Sequence, residues 1–581
     1  MPTLTLIDWL VIACYFALLV GVVWWSSRRQ DTTADYFLAG RNVGFFAIGA
    51  SLFASNIGSE HIIGLAGAGA STGMGMAHYE LHAWIMILLA WVFVPFYYRT
   101  AVYTMPEFLE RRFGPNTRWI LSIVSLIAYV FTKVSVSVYA GAILFQALMP
   151  DAFGDLARLM NENLPAFLLP EPFGALQAAF WVGALLTVIL TGLYTVFGGM
   201  RAVLYTDSAQ AIILIGGASA ILVLGLYQLG GWGEIQQFAS DNADRFALWR
   251  AWDDPELPWL GIMIGSPIVG IWYWCTDQYI VQRTLAARDL ATARRGALFG
   301  GVLKVLPVVL FLVPGMIGMA LHERGVISIP TNAAGEVNGD LVFPTMVTSL
   351  LPMGLRGLVV AGVLAALMSS LSSVFNSTAA LFTVDIYEKL RPGQSEKHLV
   401  RVGRIATTVV VVAGLAWIPV MAQVSDKGLY SYLQTVQQYL GPPITAVFLL
   451  GLLWRRMNAV GALWGLVLGF ILGISKLIAQ TFWGADDTGK YANPEWLAAF
   501  GDFNFLYFSS ILFPTVVAII VVASLLSAPP APEKVRSLTF GSMSDADRAE
   551  IRASWNRRDV WLTALVIGLV LGMYLYFSFW I

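Results

Sequence analysis

The amino-acid sequence predicts an all-α integral membrane protein with about 14 transmembrane helices, built around a five-plus-five inverted repeat. Three observations predict it. Hydrophobic residues make up 57% of the 581-residue chain and charged residues 12%, about half the charge of a typical soluble domain. Apolar runs of about 20 residues, the length that carries a helix through a bilayer core, recur from one end of the chain to the other. Two of these runs, the second and the seventh, are interrupted by polar residues, Gly and Pro. Interruptions at matched positions of two halves mark a carrier whose binding site is made of unwound backbone.

Spans are expected near 6–26, 47–70, 80–99, 118–147, 177–197, 206–229, 258–280, 297–321, 357–386, 401–423, 430–454, 460–480, 506–527 and 560–580. The run Leu6 to Trp25 is too long for a cleavable signal and lacks an A-x-A site after it, so it is read as a retained helix. Basic residues gather in alternate loops. Arg28, Arg29 and Arg41, then Arg99, Arg111 and Arg112, then Arg201, then Arg283, Arg288, Arg294 and Arg295 fall on one side. Lys389, Arg391, Lys397, Arg401 and Arg404, then Arg455 and Arg456, then Lys534 to Arg558 continue the alternation. Because Lys and Arg accumulate on the cytoplasmic side, these loops are cytoplasmic and both termini extracytoplasmic.

This divides the chain into a peripheral first helix within 1–30, repeat one at 45–229, repeat two at 257–456 and two peripheral helices at 457–527. A cytoplasmic linker at 528–558 and a last helix at 559–581 complete it. The linker starts with the stiff segment Ala528 to Pro532 and should hold a short helix in the charged stretch Asp545 to Arg558.

A formal net charge of -1 offers no basic footprint for nucleic acid, and nothing calls for an obligate protein partner. Cys14 and Cys275 both lie in apolar stretches and suggest neither a disulfide nor a metal site. No nucleophile with a placed base, metal cluster or phosphate-cradling loop is evident, so an enzyme is disfavoured and no cofactor is expected. Membrane lipid and small molecules are the partners to seek.

The first interrupted run is Gly49 to Gly64, where Ser55, Asn56, Gly58, Ser59, Glu60 and His61 break the apolar pattern. The second is Gly265 to Gln278, where Pro267 removes a helical donor. Polar groups at membrane depth are costly and point to a site. In the ninth span, Ala366, Ser369, Ser370 and Ser373 share one helical face. Sodium is a hard ion that needs oxygens without full negative charge, so carbonyls freed at Ala54 and Ile57, with serine hydroxyls, suit it.

Several segments in fixed order carry a resemblance: Asp35 to Arg41, Gly49 to Gly64, Thr104 to Leu109, Trp272 to Gln278, Val281 to Arg283, Leu367 to Ser370, Phe375 to Ser377, Asp385 to Tyr387 and Tyr439 to Pro443. Together they resemble the sodium:solute symporter family, and within it the sodium/glucose cotransporters, from about residue 8 to 527. The resemblance implies the LeuT-type fold and sodium as coupling ion. It places one sodium site on Ala54, Ile57, Ala366, Ser369 and Ser370, and sugar contacts on Asn56, His61, Glu80, Tyr273, Trp274, Lys304 and Gln434. Tyr273 would also stack beneath the sugar as an inner gate. A second sodium site, known in part of the family, maps to Asp207, Ser372 and Ser373.

The donor set suits a hexose independently, since hydroxyls that donate and accept, with C–H faces, call for amides, a carboxylate, a cation and an aromatic plate. Glucose or galactose leads, ahead of mannose, fructose, myo-inositol or a carboxylate such as proline or sialic acid. Gly270 and Glu60 depart from the glucose-carrying pattern. A membrane sugar sensor without transport is the rival from another class. The stretch Gln278 to Ala287 resembles bacterial members and suggests a bacterial inner membrane.

Overall fold

The structure, a computed structural model, describes residues 4–26, 32–58, 60–148, 158, 162, 175–331, 335–424, 429–483 and 494–581. Arg28, Arg29 and Ser59 lie outside the described residues. Among those described, 12 helices are long and apolar enough to cross a membrane, and two shorter apolar helices, Phe45–Asn56 and Ala178–Leu193, fall on the second and fifth expected spans. The fifth and sixth spans are two helices within Ala175–Leu229 that meet at the non-helical Gly199 (φ 56°). Glycine tolerates that left-handed backbone, so the chain turns there without an intervening loop.

Burial sorts the spans by role. In Leu355–Leu390, 94% of the most apolar window is buried, against 22% in Leu6–Trp25 and 17% in Arg557–Ser578. The ninth span is therefore at the centre, and the first and last face lipid with Leu, Ile, Val and Trp side chains such as Leu18, Trp24 and Trp561. Small residues permit close crossings, as expected where packing rather than water drives helix association. A Cβ on Gly315 would collide with the backbone of Ala66, and one on Gly69 with the Leu312 carbonyl.

Both interrupted runs are broken. The first consists of helix Phe45–Asn56, a non-helical Ile57, a π-turn at Glu60–Leu65 and helix Ala66–Ser71. The second consists of helix Trp259–Ile271, a π-turn at Trp272–Thr276, extended backbone at Asp277 and helix Gln278–Leu285. Pro267 is not the breaking point. It sits inside the regular helix, where Ser509 Oγ donates to Gly265 O at 3.2 Å and Thr445 Oγ1 donates to Ile268 O at 2.8 Å, holding nearby carbonyls paired. The ladder opens five residues later, where Asp277 N donates to Trp272 O at 2.9 Å.

On the side assigned to the cytoplasm, helix Asp545–Ala553 begins with a Ser544 capping box, as the charged stretch suggested. It is tied to the third span through the Arg99–Asp547 ion pair. Desolvation pushes the Asp547 carboxyl up, but the backbone and hydroxyl donors of Ser544 and Ser537, with Arg99, together outweigh it and hold the carboxyl below the ordinary carboxylate range.

Candidate functional site

The end of the first helix and the break in the second open onto one cavity. Asn56 is the last residue of its helix, and its Nδ2 lies 3.4 Å from His61 Nε2 in the following π-turn. His61 Nε2 lies 3.2 Å from Glu80 Oε1, and Lys304 Nζ donates to Glu80 Oε2 at 2.5 Å. From the second break, Lys304 Nζ stands 5.4 Å from the centre of the Trp274 ring, which packs edge-on against Tyr273 at 5.0 Å. Gln434 faces the same space from helix Leu429–Leu453. All seven residues that the resemblance assigned to a solute line this one cavity.

Burial shows where two of them lie. Glu80 reads from the sequence as a span-end carboxylate and Lys304 as a side chain reaching toward water. The structure starts the third span at Gly73 and the eighth at Leu290, which draws both residues inward. Glu80 is 0% exposed and Lys304 4%. Two opposite charges so placed must neutralise each other, because removing either would strand the other out of water.

The cavity also receives residues that sequence reasoning did not single out: Tyr79, His82, Lys133, Ser266, Val269, Leu433 and Gln437. Lys133 is the most consequential. It pairs with Asp277 Oδ2 at 2.5 Å, and its ammonium lies 3.9 Å from the Tyr279 ring centre and 4.6 Å from that of Tyr273. Its signal was available, since a lysine inside the apolar run 118–147 is itself an intramembrane charge. Gly270 lines the cavity too, and a Cβ there would stand 2.5 Å from Ile85 Cδ1 and 3.0 Å from His82 Nδ1.

A second cluster of oxygens lies between the first broken helix and the ninth span. Ser370 Oγ donates to Ser55 O at 3.2 Å, beside the buried Ala54, Ile57 and Ala366. Ser369 Oγ donates to Asp207 Oδ1 at 2.5 Å, and Ser51 and Ser55 hydroxyls reach Asp207 Oδ2 at 2.5 and 3.2 Å. Asp207 does not cap a helix start; it stands inside Ala175–Leu229, past the bend, and is 0% exposed. Ser373 joins the cluster at 3.2 Å from Ser55 Oγ and also donates back to Ser369 O at 2.7 Å; Ser372 donates to the same carbonyl at 2.9 Å. Arg283, which the loop alternation assigned to a cytoplasmic loop, is 1% exposed within helix Gln278–Leu285 and points into this cluster.

Comparison with known proteins bears on this arrangement. The family model described as "Sodium:solute symporter family" matches residues 36–151 and 166–469. Sodium/glucose cotransporter 1 of Oryctolagus cuniculus is 37% identical over 549 residues, covering 89% of this chain and 78% of the relative. Sodium/myo-inositol cotransporter 2 of the same species is 38% identical over 574 residues, covering 94% and 81%. Among solved structures, a substrate-bound outward-open state of a Na+-coupled sialic acid symporter superposes with a TM-score of 0.71 at 23% identity, covering 91% of this chain and 99% of that one. The chain therefore belongs to the sodium:solute symporter family: it is an all-helical, LeuT-type sodium-coupled solute symporter, not an enzyme.

Proposed function

We propose that this symporter imports a hexose, glucose or galactose first, by alternating access around the cavity at the two breaks. The observation that carries the reading is the convergence on that cavity of two amides, Asn56 and Gln434, a neutralised Glu80–Lys304 pair and the Tyr273–Trp274 corner. Amides and the ion pair offer both donors and acceptors to hydroxyls, and the rings offer an apolar plate to C–H faces. Both lysines that line the cavity have carboxylate partners, Lys304 with Glu80 and Lys133 with Asp277. A solute carboxylate would want an uncompensated cation there, so a polyol without one fits better than proline or sialic acid, with myo-inositol, mannose and fructose behind the two leading sugars.

In this reading the coupling sodium binds the oxygens of Ala54, Ile57, Ala366, Ser369 and Ser370. It ties the first broken helix to the ninth span, and so completes the solute site from outside. Release inward undoes the tie. One charge moved through 100 mV supplies about 2.3 kcal/mol and a tenfold sodium gradient about 1.4, so one ion supports roughly a 500-fold solute gradient. A second ion at Asp207 with Ser373 and Ser372 would square that limit. Repeats at 45–229 and 257–456 would rock about the fixed site, in a bacterial inner membrane with both termini outside.

Competition by a panel of unlabelled sugars, polyols and amino acids against labelled glucose bound to purified protein in sodium tests the solute. Displacement by glucose and galactose at the lowest concentrations is expected. Absence of saturable glucose binding, or displacement of glucose by proline or sialic acid at lower concentrations than by glucose itself, would overturn the hexose assignment.

A further inference from the structure

We infer that the Arg283 guanidinium and a sodium ion are alternative occupants of the Asp207 cluster, so that the chain carries its own cation in the place a second sodium would take. The inference rests on the sodium-coupled reading above and adds a mechanism by which ion binding acts on the second broken helix.

Asp207 is 0% exposed and Arg283 1%, and Arg283 Nη2 lies 3.8 Å from Asp207 Oδ2. The space between them is filled by serine hydroxyls used in both directions. Ser51 Oγ donates to Asp207 and accepts from Arg283 Nε at 2.9 Å. Ser55 Oγ likewise donates to Asp207 and accepts from Arg283 Nη2, which also donates to Ser373 Oγ. Ser51, Ser55 and Ser373 each accept one hydrogen bond from the guanidinium. A sodium ion in this cluster would draw on the same hydroxyl oxygens and the field of the same carboxylate. Two cations around one buried carboxylate repel strongly, so one must leave for the other to bind.

Location gives the exchange a consequence. Ser51 and Ser55 belong to Phe45–Asn56, Asp207 to Ala175–Leu229 and Ser373 to Leu355–Ala380. Arg283 alone comes from Gln278–Leu285, the helix that follows the second break. Its backbone neighbour Tyr279 also donates its hydroxyl to Ser55 O. With Arg283 in place, the inner half of the second broken helix is fastened to the oxygen cluster; sodium in its place removes the guanidinium ties and leaves the Tyr279 hydroxyl as the link to Ser55 O, while keeping Asp207 neutralised. The ion thus controls how firmly the inner half of the second break is held.

The test is the isotherm of 22Na binding to full-length protein without sugar, for wild type, Arg283→Gln and the double variant Asp207→Asn/Arg283→Gln. Arg283→Gln is expected to bind sodium at least tenfold more tightly at one site, or to gain a site, and the double variant to lose that gain while keeping the remaining sodium site. An Arg283→Gln isotherm identical to wild type, or a gain that survives in the double variant, overturns the inference. Should Arg283→Gln fail to fold, Arg283→Lys keeps the charge but cannot bridge three hydroxyls, and a smaller gain in the same direction is expected; no gain contradicts it. Wild-type protein that binds no sodium at all would instead overturn the coupling reading, which separates the two failures.

Discussion

Lys304 Nζ lies 2.5 Å from Glu80 Oε2 inside the membrane-spanning bundle, with neither side chain more than 4% exposed. His61 completes the arrangement at 3.2 Å from the other Glu80 oxygen. A pair so buried contributes little net stability compared with apolar packing, but breaking it by removing one partner is expensive. Its value is the fixed array of donors and acceptors that it presents to the cavity.

Removing one charge should therefore cost more than removing both. Glu80→Gln or Lys304→Gln alone is expected to destabilise the protein by about 3–5 kcal/mol, with solute binding lost, whereas the double variant recovers much of the stability. Thermal unfolding in detergent, followed for the three variants, checks this; additive losses would show that the two groups do not compensate one another.

Asn56→Ala and Gln434→Ala each delete hydrogen bonds to a neutral hydroxyl, worth about 1–1.5 kcal/mol apiece. Solute affinity should fall five- to tenfold in each, with sodium binding measured alone unchanged. Unaltered affinity would remove the residue from the solute site.

Gly270 gives a steric prediction. Because a Cβ would stand 2.5 Å from Ile85 Cδ1 and 3.0 Å from His82 Nδ1, Gly270→Ala should displace those side chains and shrink the cavity. The expected readout is a raised apparent KM for the sugar at unchanged sodium affinity; a KM equal to wild type would show that this wall does not bear on the solute.

Asp207→Asn should reduce the charge moved per sugar, because the buried carboxylate is the only full negative charge among the oxygens described around Ser51, Ser55, Ser369 and Ser373. Simultaneous current and uptake records give the ratio. An unchanged ratio would mean that Asp207 serves Arg283 rather than a second ion.

Much of this was legible in the sequence because the bilayer imposes a length on every helix and a cost on every polar group within it. Asn56 and His61 stood out as polar residues in an apolar run, and the break they mark is in place. Elsewhere the rules of position misled. Pro267 removes a donor, yet Ser509 and Thr445 hold the carbonyls around it, and the helix instead opens at Trp272–Thr276. Arg283 counted as a loop charge because its helix is short and polar; only the fold shows that it is buried against Asp207. Lys133 was visible as a charge inside an apolar run, but its partner Asp277 lies 144 residues away in sequence, so only the fold shows the pair.

The most direct measurement is uptake of labelled glucose and galactose into liposomes containing the purified protein, with an inward sodium gradient or with potassium in its place. Accumulation above the external concentration in sodium, accompanied by inward current and absent in potassium, is the expected result. Equal uptake in potassium, or equilibration without accumulation under the sodium gradient, would contradict coupling of solute to ion at the two broken helices.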